Sequence, residues 1–167
     1  MTLPEVWLRG PLPGFPALLQ PVAHSLTQVL EEVAATLPSC SPEELWVGPG
    51  TRWPAGRHLR HAAGSLERLY TYARGEALSE AQLAALRVEG EPDLAEGAAV
   101  RLRAHFDGAV ERALQQVRET PEEGLLESRE VGRARLPSTM MGLLFHGAEH
   151  TQRHVGQFIT TVRIVRT

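Results

Sequence analysis

The 167-residue chain has no lysine and no asparagine, and it contains a single cysteine, Cys40. The first two absences are typical of a GC-rich coding sequence and carry no functional information. One cysteine excludes an internal disulfide and favours a reducing compartment. No run approaches the 18 consecutive apolar residues of a membrane-spanning helix, and the first residues lack the pattern of a secretory signal. We therefore expect a cytoplasmic protein that does not contact membranes.

The chain also lacks an excess of positive charge and the common catalytic motifs. Its net charge of −3 argues against general binding of nucleic-acid phosphates, which is typical of basic proteins. No glycine-rich phosphate loop is recognisable, and neither a serine–histidine–acid nor a cysteine–histidine arrangement is convincing. We therefore expect no nucleic-acid partner and no side-chain nucleophile, and the catalytic residues stay unknown at this level.

Aromatic residues make up only 5% of the chain, and no segment shows a convincing strand pattern. The apolar residues repeat instead at three- and four-residue steps, as they do in amphipathic helices. This predicts an all-α four-helix bundle with a core of leucine, valine and alanine, formed as a single domain over residues 1–167. The long helices are predicted at residues 15–37, 55–74, 94–119 and 139–167.

Several details of these helices depend on local signals. Pro21 either kinks the first helix or marks its first turn. Val100 belongs to the predicted buried face of the third helix. Short extra helices are predicted in the connections, one after Ser41 that breaks at residues 48–50 and one that opens with a capping box at residues 79–82. Residues 121–137 are polar and without a clear period, so we expect a long connection there.

Three of the seven histidines, His146, His150 and His154, follow one another at four-residue spacing in the fourth helix. Four residues advance a helix by about 400°, so neighbouring imidazoles lie about 40° apart around the axis and roughly 6 Å apart along it. Two such histidines can bind one metal ion. His146 and His154 are separated by about 12 Å of helix rise, so the pair is either 146 with 150 or 150 with 154.

The second helix supplies His58 and His61. His61 lies nearer to the apolar face that contains Leu66, and small residues follow it, so we expect His61 to face inward. A lone histidine on an amphipathic helix is usually exposed or hydrogen-bonded in the core. We expect that of His24 and His105, and we interpret His58 in the same way.

Both histidine segments resemble motifs of the DinB/YfiT-like superfamily. The segment from His150 to Gln157, His-Thr-Gln-Arg-His-Val-Gly-Gln, looks like the last-helix motif, in which a histidine is followed four residues later by one just before x-Gly-Gln. The segment from His58 to Leu66, His-Leu-Arg-His-Ala-Ala-Gly-Ser-Leu, is similar to the second-helix motif. The order and separation of the motifs also agree, so the resemblance covers nearly the whole chain.

The resemblance implies a four-helix bundle, often dimeric, in which His61, His150 and His154 bind zinc, nickel or a similar divalent ion. Many members carry adjacent histidines before the Gly-Gln, whereas this chain has Arg153 at the earlier of those positions. It has instead the extra His146 one turn upstream. His146 and His58 therefore remain alternative ligands.

Two polar residues of the last helix are candidates for contacts around the metal. Glu149 could orient a ligand through a hydrogen bond, although pairing with an arginine or with solvent is the more common state of such a residue. Gln157 could hydrogen-bond within the site or across the bundle.

Three neutral imidazoles leave at least one position open on a divalent ion, which is typical of catalytic sites. The ion would lower the pKa of a bound water or thiol and polarise a substrate carbonyl. The activities of the resembled superfamily include transfer of low-molecular-weight thiols (bacillithiol, mycothiol or glutathione) and thiol-dependent isomerisation. We therefore expect a metal-dependent enzyme of that kind, a homodimer with a small-molecule substrate and a thiol cosubstrate. The alternatives are a hydrolase that uses metal-bound hydroxide and a non-enzymatic, stress-related metal-binding protein.

Overall fold

The structure, a computed structural model, describes residues 3–47 and 53–167. The predicted helix break at residues 48–50 lies outside the described residues. Across the two described segments, no helix is both long enough and apolar enough to span a bilayer. The helices, in chain order, are α1 (Gln20–Thr36), α2 (Pro42–Trp46), α3 (Ala55–Ala73), α4 (Glu80–Arg87), α5 (Ala98–Glu119) and α6 (Met140–Val165).

The four long helices α1, α3, α5 and α6 pack around one apolar core, which confirms the predicted all-α bundle. Leucine, valine and alanine make up most of this core, and Phe106 and Phe158 are its largest fully buried side chains. The most extensive helix pair is α3 with α6. Both histidine segments therefore lie on helices that are packed against each other.

The helix starts follow local capping interactions. Pro21 lies in the first turn of α1, so the proline marks the helix start and does not kink the helix. Ser79 makes the predicted capping box at the start of α4, and Ser41, predicted as a helix start, also makes a capping box at the start of α2. At the start of α6 the hydroxyl of Thr139 accepts a hydrogen bond from the amide of Gly142 at 3.0 Å. These contacts satisfy amide groups that have no partner within their own helix.

Two predictions for the third long helix are wrong. The helix begins at Ala98 and not at residue 94, and Val100 is 72% exposed. Gly97, at φ 79°, directly precedes the helix in a left-handed conformation, which favours glycine. The buried residues Ala98 and Leu102 are four positions apart and share one face, whereas Val100 lies two positions from each, about 200° around the axis.

Residues 121–137 contain regular structure that their composition did not predict. Strand β1 (Ser128–Val131) pairs antiparallel with strand β2 (Leu136–Thr139), and Ser128 lies opposite Thr139. Each strand has only four residues, all exposed or half-buried, so no alternation of apolar and polar residues marks them. Because β2 ends at the residue that caps α6, the hairpin leads directly into the start of the helix that carries the histidines.

Candidate metal centre

Three histidines from α3 and α6 come together on one side of the interface between these helices. His61, His150 and His154 each offer one ring nitrogen, and these three atoms lie within 4.8 Å of one another. The Nε2 atoms of His61 and His150 are 3.1 Å apart. The ring centroid of His154 lies 4.6 Å from the centroids of both other rings. This arrangement could hold a metal ion.

The donor set fits a divalent transition metal. Two nitrogen ligands at about 2.0–2.1 Å from one ion are themselves roughly 3 Å apart, which is the separation between His61 and His150. Imidazole nitrogens suit zinc, nickel, copper and iron, whereas magnesium and calcium prefer oxygen ligands. Within the described residues, no cysteine or carboxylate joins the three-nitrogen group.

Close packing of α3 on α6 brings these imidazoles together. A Cβ atom on Gly147 would lie 2.7 Å from the ring of Tyr70, so only glycine permits this approach of the helices. The hydroxyl of Tyr70 donates a hydrogen bond to the carbonyl oxygen of Leu144 at 3.2 Å across the same interface. Gly147 precedes His150 by one helical turn, so the close contact lies directly beside the histidine group.

Glu89, in the connection between α4 and α5, holds His61 from the side opposite His150. Its Oε2 atom is 2.6 Å from Nδ1 of His61, and its Oε1 atom accepts two hydrogen bonds of 3.1 Å from Arg68. Burial acts to raise the pKa of Glu89, but the hydrogen bond to His61 and the charge of Arg68 outweigh it, so the pKa is lowered. Glu89 is therefore an ionised carboxylate that can only accept hydrogen bonds.

This contact has a direct consequence for the ring of His61. Since the carboxylate of Glu89 only accepts, Nδ1 of His61 carries the hydrogen, and the lone pair of the neutral ring is on Nε2. That is the nitrogen that faces His150. In the described part of the chain, Nδ1 of His150 is buried without a hydrogen-bond partner. No hydrogen bond at this nitrogen therefore holds the ring of His150 in another orientation.

His58 also lies at the centre, although outside the three-nitrogen group. Its Nδ1 atom is 3.1 Å from Nδ1 of His154, so it is a hydrogen-bonded neighbour of one candidate ligand.

Burial lowers the pKa of His154 to about 4, and the nearby His61, His150 and His58 act in the same direction. Burial also lowers the pKa of His58 and of His150. These rings are therefore neutral at pH 7, as binding to a metal requires.

The indole of Trp53 lies beside the histidine group. Its ring centroid is 5.2 Å from that of His61 and 5.8 Å from that of His154, and the plane of His154 is inclined to it by only 13°. The guanidinium of Arg57 lies 4.2 Å from the Trp53 ring centroid, in cation–π geometry. An aromatic ring and a positive charge therefore form part of the surroundings of the centre.

The other sequence candidates on α6 make contacts elsewhere. His146 is exposed, and its Nδ1 atom lies 3.0 Å from Oε1 of Glu149. Glu149 also accepts hydrogen bonds of 2.6 and 2.7 Å from Arg153, so it is paired with an arginine. The side chain of Gln157 is exposed and makes no hydrogen bond to another described residue. Neither Glu149 nor Gln157 contacts the three-nitrogen group through a hydrogen bond.

The two remaining histidines are in the surroundings that their patterns predict. His24 on α1 is half-buried, with Nε2 3.0 Å from the carbonyl oxygen of Gly10. His105 on α5 is exposed. Neither belongs to the three-nitrogen group.

Sequence reasoning missed Glu89, Arg68 and Trp53. Glu89 is 28 residues from His61 and lies in a loop, so no helical spacing connects them. Arg68 has the appearance of an ordinary arginine on a solvated helix face. Trp53 lies before the start of α3, five residues from His58 and eight from His61. Because it is outside the helix, helical spacing cannot predict its contact with these histidines. Each contact depends on how separate segments pack.

A cavity of about 480 Å³ lies next to the centre and shares Glu89 with it. Charged side chains from α3, from the loop after α4 and from α5 line this cavity together with small apolar residues. They include Arg60, Arg68, Glu91, Asp93 and Arg101.

The chain matches a known protein family over most of its length. Residues 13–158 match the family model described as the DinB superfamily. The match covers well over half of the chain and includes both histidine segments. No curated protein matches the chain.

Proposed function

The chain belongs to the DinB superfamily, and from that premise we propose that it is a divalent-metal-dependent enzyme with His61, His150 and His154 as ligands. The observation that carries the proposal is the convergence of three imidazole nitrogens within 4.8 Å, at the interface of two helices far apart in sequence. The four-residue spacing of His150 and His154 on α6 could arise by chance, but it accounts for only two of these three nitrogens. Zinc and nickel are the ions we propose, because both suit imidazole ligands and the resemblance of the histidine segments to the family motifs implies these two ions.

The residues of the chain would prepare this site without large rearrangement. The carboxylate of Glu89 directs the lone pair of His61 towards His150, and burial keeps His154 neutral. Three nitrogen ligands leave at least one coordination position for another molecule. A divalent ion bound there would act as a Lewis acid and lower the pKa of a water or thiol at that position.

We propose that this other molecule is a low-molecular-weight thiol and that the reaction transfers it to an electrophile or uses it in an isomerisation. The resemblance of both histidine segments to their family motifs supports this reaction class. Cys40 supports an external thiol, because the only cysteine of the chain is buried and burial raises the pKa of its thiol. A reactive cysteine is typically exposed and has a lowered pKa.

The metal ligands can be tested by measuring the metal content of purified protein with inductively coupled plasma mass spectrometry. We expect close to one equivalent of metal in the wild type and a large loss in His61→Ala, His150→Ala and His154→Ala. His146→Ala is the matched control, because His146 is on the same helix and exposed. If His146→Ala loses its metal and His154→Ala retains it, the ligands from α6 are His146 and His150 instead.

The reaction class needs a separate assay. We expect metal-loaded protein to consume an electrophile only when a low-molecular-weight thiol is present, and we expect a chelator to abolish the activity. Full thiol transfer by the metal-free protein would contradict the proposal. Hydrolysis of esters or amides by the metal-loaded protein without any thiol would show that the protein is a hydrolase and not a thiol transferase.

The homodimer stays a prediction. Light scattering would distinguish the mass of one chain, 18.3 kDa, from twice that value.

A further inference from the structure

The loop after α4 places a largely buried carboxylate against a histidine of α3. Only 12% of the Glu89 side chain is exposed, and the same holds for its partner Arg68. One carboxylate oxygen contacts His61 and the other accepts from Arg68, so both oxygens of Glu89 have partners. An arginine on one side and an imidazole on the other therefore fix the orientation of the carboxylate.

The loop itself is anchored to α3 by further arginines. Arg60 donates a hydrogen bond to the carbonyl oxygen of Glu91, and the same nitrogen lies 3.5 Å from that of Val88. The guanidinium of Arg57 lies against Gly90, where a Cβ atom would approach it to 3.3 Å. The backbone on both sides of Glu89 is therefore held in place, which positions its carboxylate against His61.

We propose that Glu89 is a positioning residue of the metal centre, which fixes the tautomer and ring orientation of His61 and thereby strengthens metal binding. This inference rests on the proposed function, because it takes His61 as a ligand. A carboxylate at Nδ1 keeps the hydrogen on that nitrogen and directs Nε2 at the metal, and its negative charge makes the ring a better donor. Arg68 keeps the carboxylate in place by binding its second oxygen.

The chain offers a matched control in Glu149. It also contacts a histidine, His146, and an arginine, Arg153, so its bonded partners are of the same types as those of Glu89. Its histidine is exposed and outside the three-nitrogen group. Replacing Glu149 therefore removes a similar ion pair that makes no hydrogen bond to a candidate ligand, although its charge acts on His150.

The test is the dissociation constant for Zn²⁺, measured by competition with a chromophoric chelator. We expect Glu89→Ala to bind Zn²⁺ about 10- to 100-fold more weakly than the wild type, the usual effect of losing such a hydrogen-bond partner. Glu89→Gln should lose less, because its amide oxygen can still accept the hydrogen of His61 but carries no charge. Glu149→Gln should weaken Zn²⁺ binding less than Glu89→Gln does, because Glu149 makes no hydrogen bond to a candidate ligand.

Two further measurements separate positioning from a general structural role. The visible absorption spectrum of bound Co²⁺ should change in the Glu89 variants, because it reports the geometry of the ligands. Thermal unfolding of the metal-free variants shows whether they fold. If Glu89→Ala does not fold, Glu89→Gln, whose side chain has nearly the same shape as glutamate, is used to test whether Glu89 affects metal binding. An unchanged Zn²⁺ constant and Co²⁺ spectrum in folded Glu89→Gln and Glu89→Ala would overturn the inference. Wild-type Zn²⁺ affinity in His61→Ala would instead overturn the proposed function.

Discussion

At the scale of single residues, the three histidines of the candidate centre have different surroundings. Nδ1 of His61 is bonded to a carboxylate, and Nδ1 of His154 is bonded to the imidazole of His58. Nδ1 of His150 is buried and has no hydrogen-bond partner among the described residues. Equal spacing along a helix therefore does not make histidines equivalent, because the second nitrogen of each ring meets a different neighbour.

These surroundings predict how the stability of the metal-free protein depends on pH. The pKa of His154 is about 4 in the folded protein and about 6.5 in the unfolded chain, so the unfolded state binds more protons between these values. The free energy of unfolding should therefore fall as the pH falls from 6.5 to 4. The lowered pKa values of His150 and His58 act in the same direction, and the lowered pKa of Glu89 adds to the loss as the pH falls below its ordinary value of about 4.5. Urea unfolding in the presence of a chelator, repeated across this pH range, measures the effect.

The control for this prediction uses two histidine variants. His154→Gln should lose part of the pH dependence, whereas His105→Gln should retain all of it, because His105 is exposed. A free energy of unfolding that stays constant or rises on acidification would contradict the assigned direction of the pKa shift.

At the scale of helices, the contact between α3 and α6 determines whether the centre can form. His61 comes from α3, and its two partners come from α6, 89 and 93 residues later in the chain. Gly147 and Tyr70 allow these helices to approach closely one turn from His150. The separation of the two helices is therefore as important for the nitrogen cluster as the histidines themselves.

Replacing Gly147 with alanine tests this close approach. The added Cβ atom would lie 2.7 Å from the buried Tyr70 ring, so the Tyr70 ring or the helices themselves must shift. We expect a loss of about 1–3 kcal/mol in the free energy of unfolding, as is usual for overpacking, together with weaker Zn²⁺ binding. Chemical unfolding and a chelator competition assay measure the two effects.

Gly156 is the matched control on the same helix. It is exposed, and apart from its chain neighbours and the backbone of its own helix, no heavy atom of the described residues lies within 4 Å of the position of an added Cβ atom. Gly156→Ala should therefore be neutral or stabilise the protein by up to about 1 kcal/mol, because alanine favours a helix more than glycine does. Equal destabilisation by both substitutions would show that the effect of Gly147 is not specific to the helix contact.

At the scale of the whole molecule, binding of a metal ion at the candidate centre would be coupled to folding. The ligands come from two separate segments of the chain, and they converge only when the bundle is formed. An ion that binds this arrangement and not the unfolded chain stabilises the fold by mass action. Metal binding should therefore raise the stability of the entire bundle and not only of its local surroundings.

Thermal unfolding with and without Zn²⁺ tests this coupling. At a free Zn²⁺ concentration of about 100 times the dissociation constant, the free energy of unfolding should rise by about 2.7 kcal/mol. For a chain of this size we expect the melting temperature to rise by roughly 5–10 °C. His146→Ala should retain the shift and His150→Ala should lose it. A full shift in His150→Ala would mean that Zn²⁺ stabilises the protein at another site.

The sequence by itself determined the features that depend on local periodicity. Helical spacing of apolar residues placed the four long helices, and capping residues marked the starts of the short helices α2 and α4. The four-residue spacing of His146, His150 and His154 indicated a metal-binding face. The resemblance of the two histidine segments to family motifs supplied His61. These signals are readable because an α-helix repeats every 3.6 residues, so neighbours on one face are close in sequence.

Only the tertiary structure decided the features that depend on contacts between distant segments. Glu89 reaches His61 from a loop 28 residues away, and His58 lies against His154 across 96 residues. The hairpin before α6 has strands too short and too exposed to carry a periodic signal, and the exposure of Val100 depends on where α5 begins. Such contacts arise when whole elements pack to bury their apolar faces, and no local spacing in the chain encodes which polar side chains then meet.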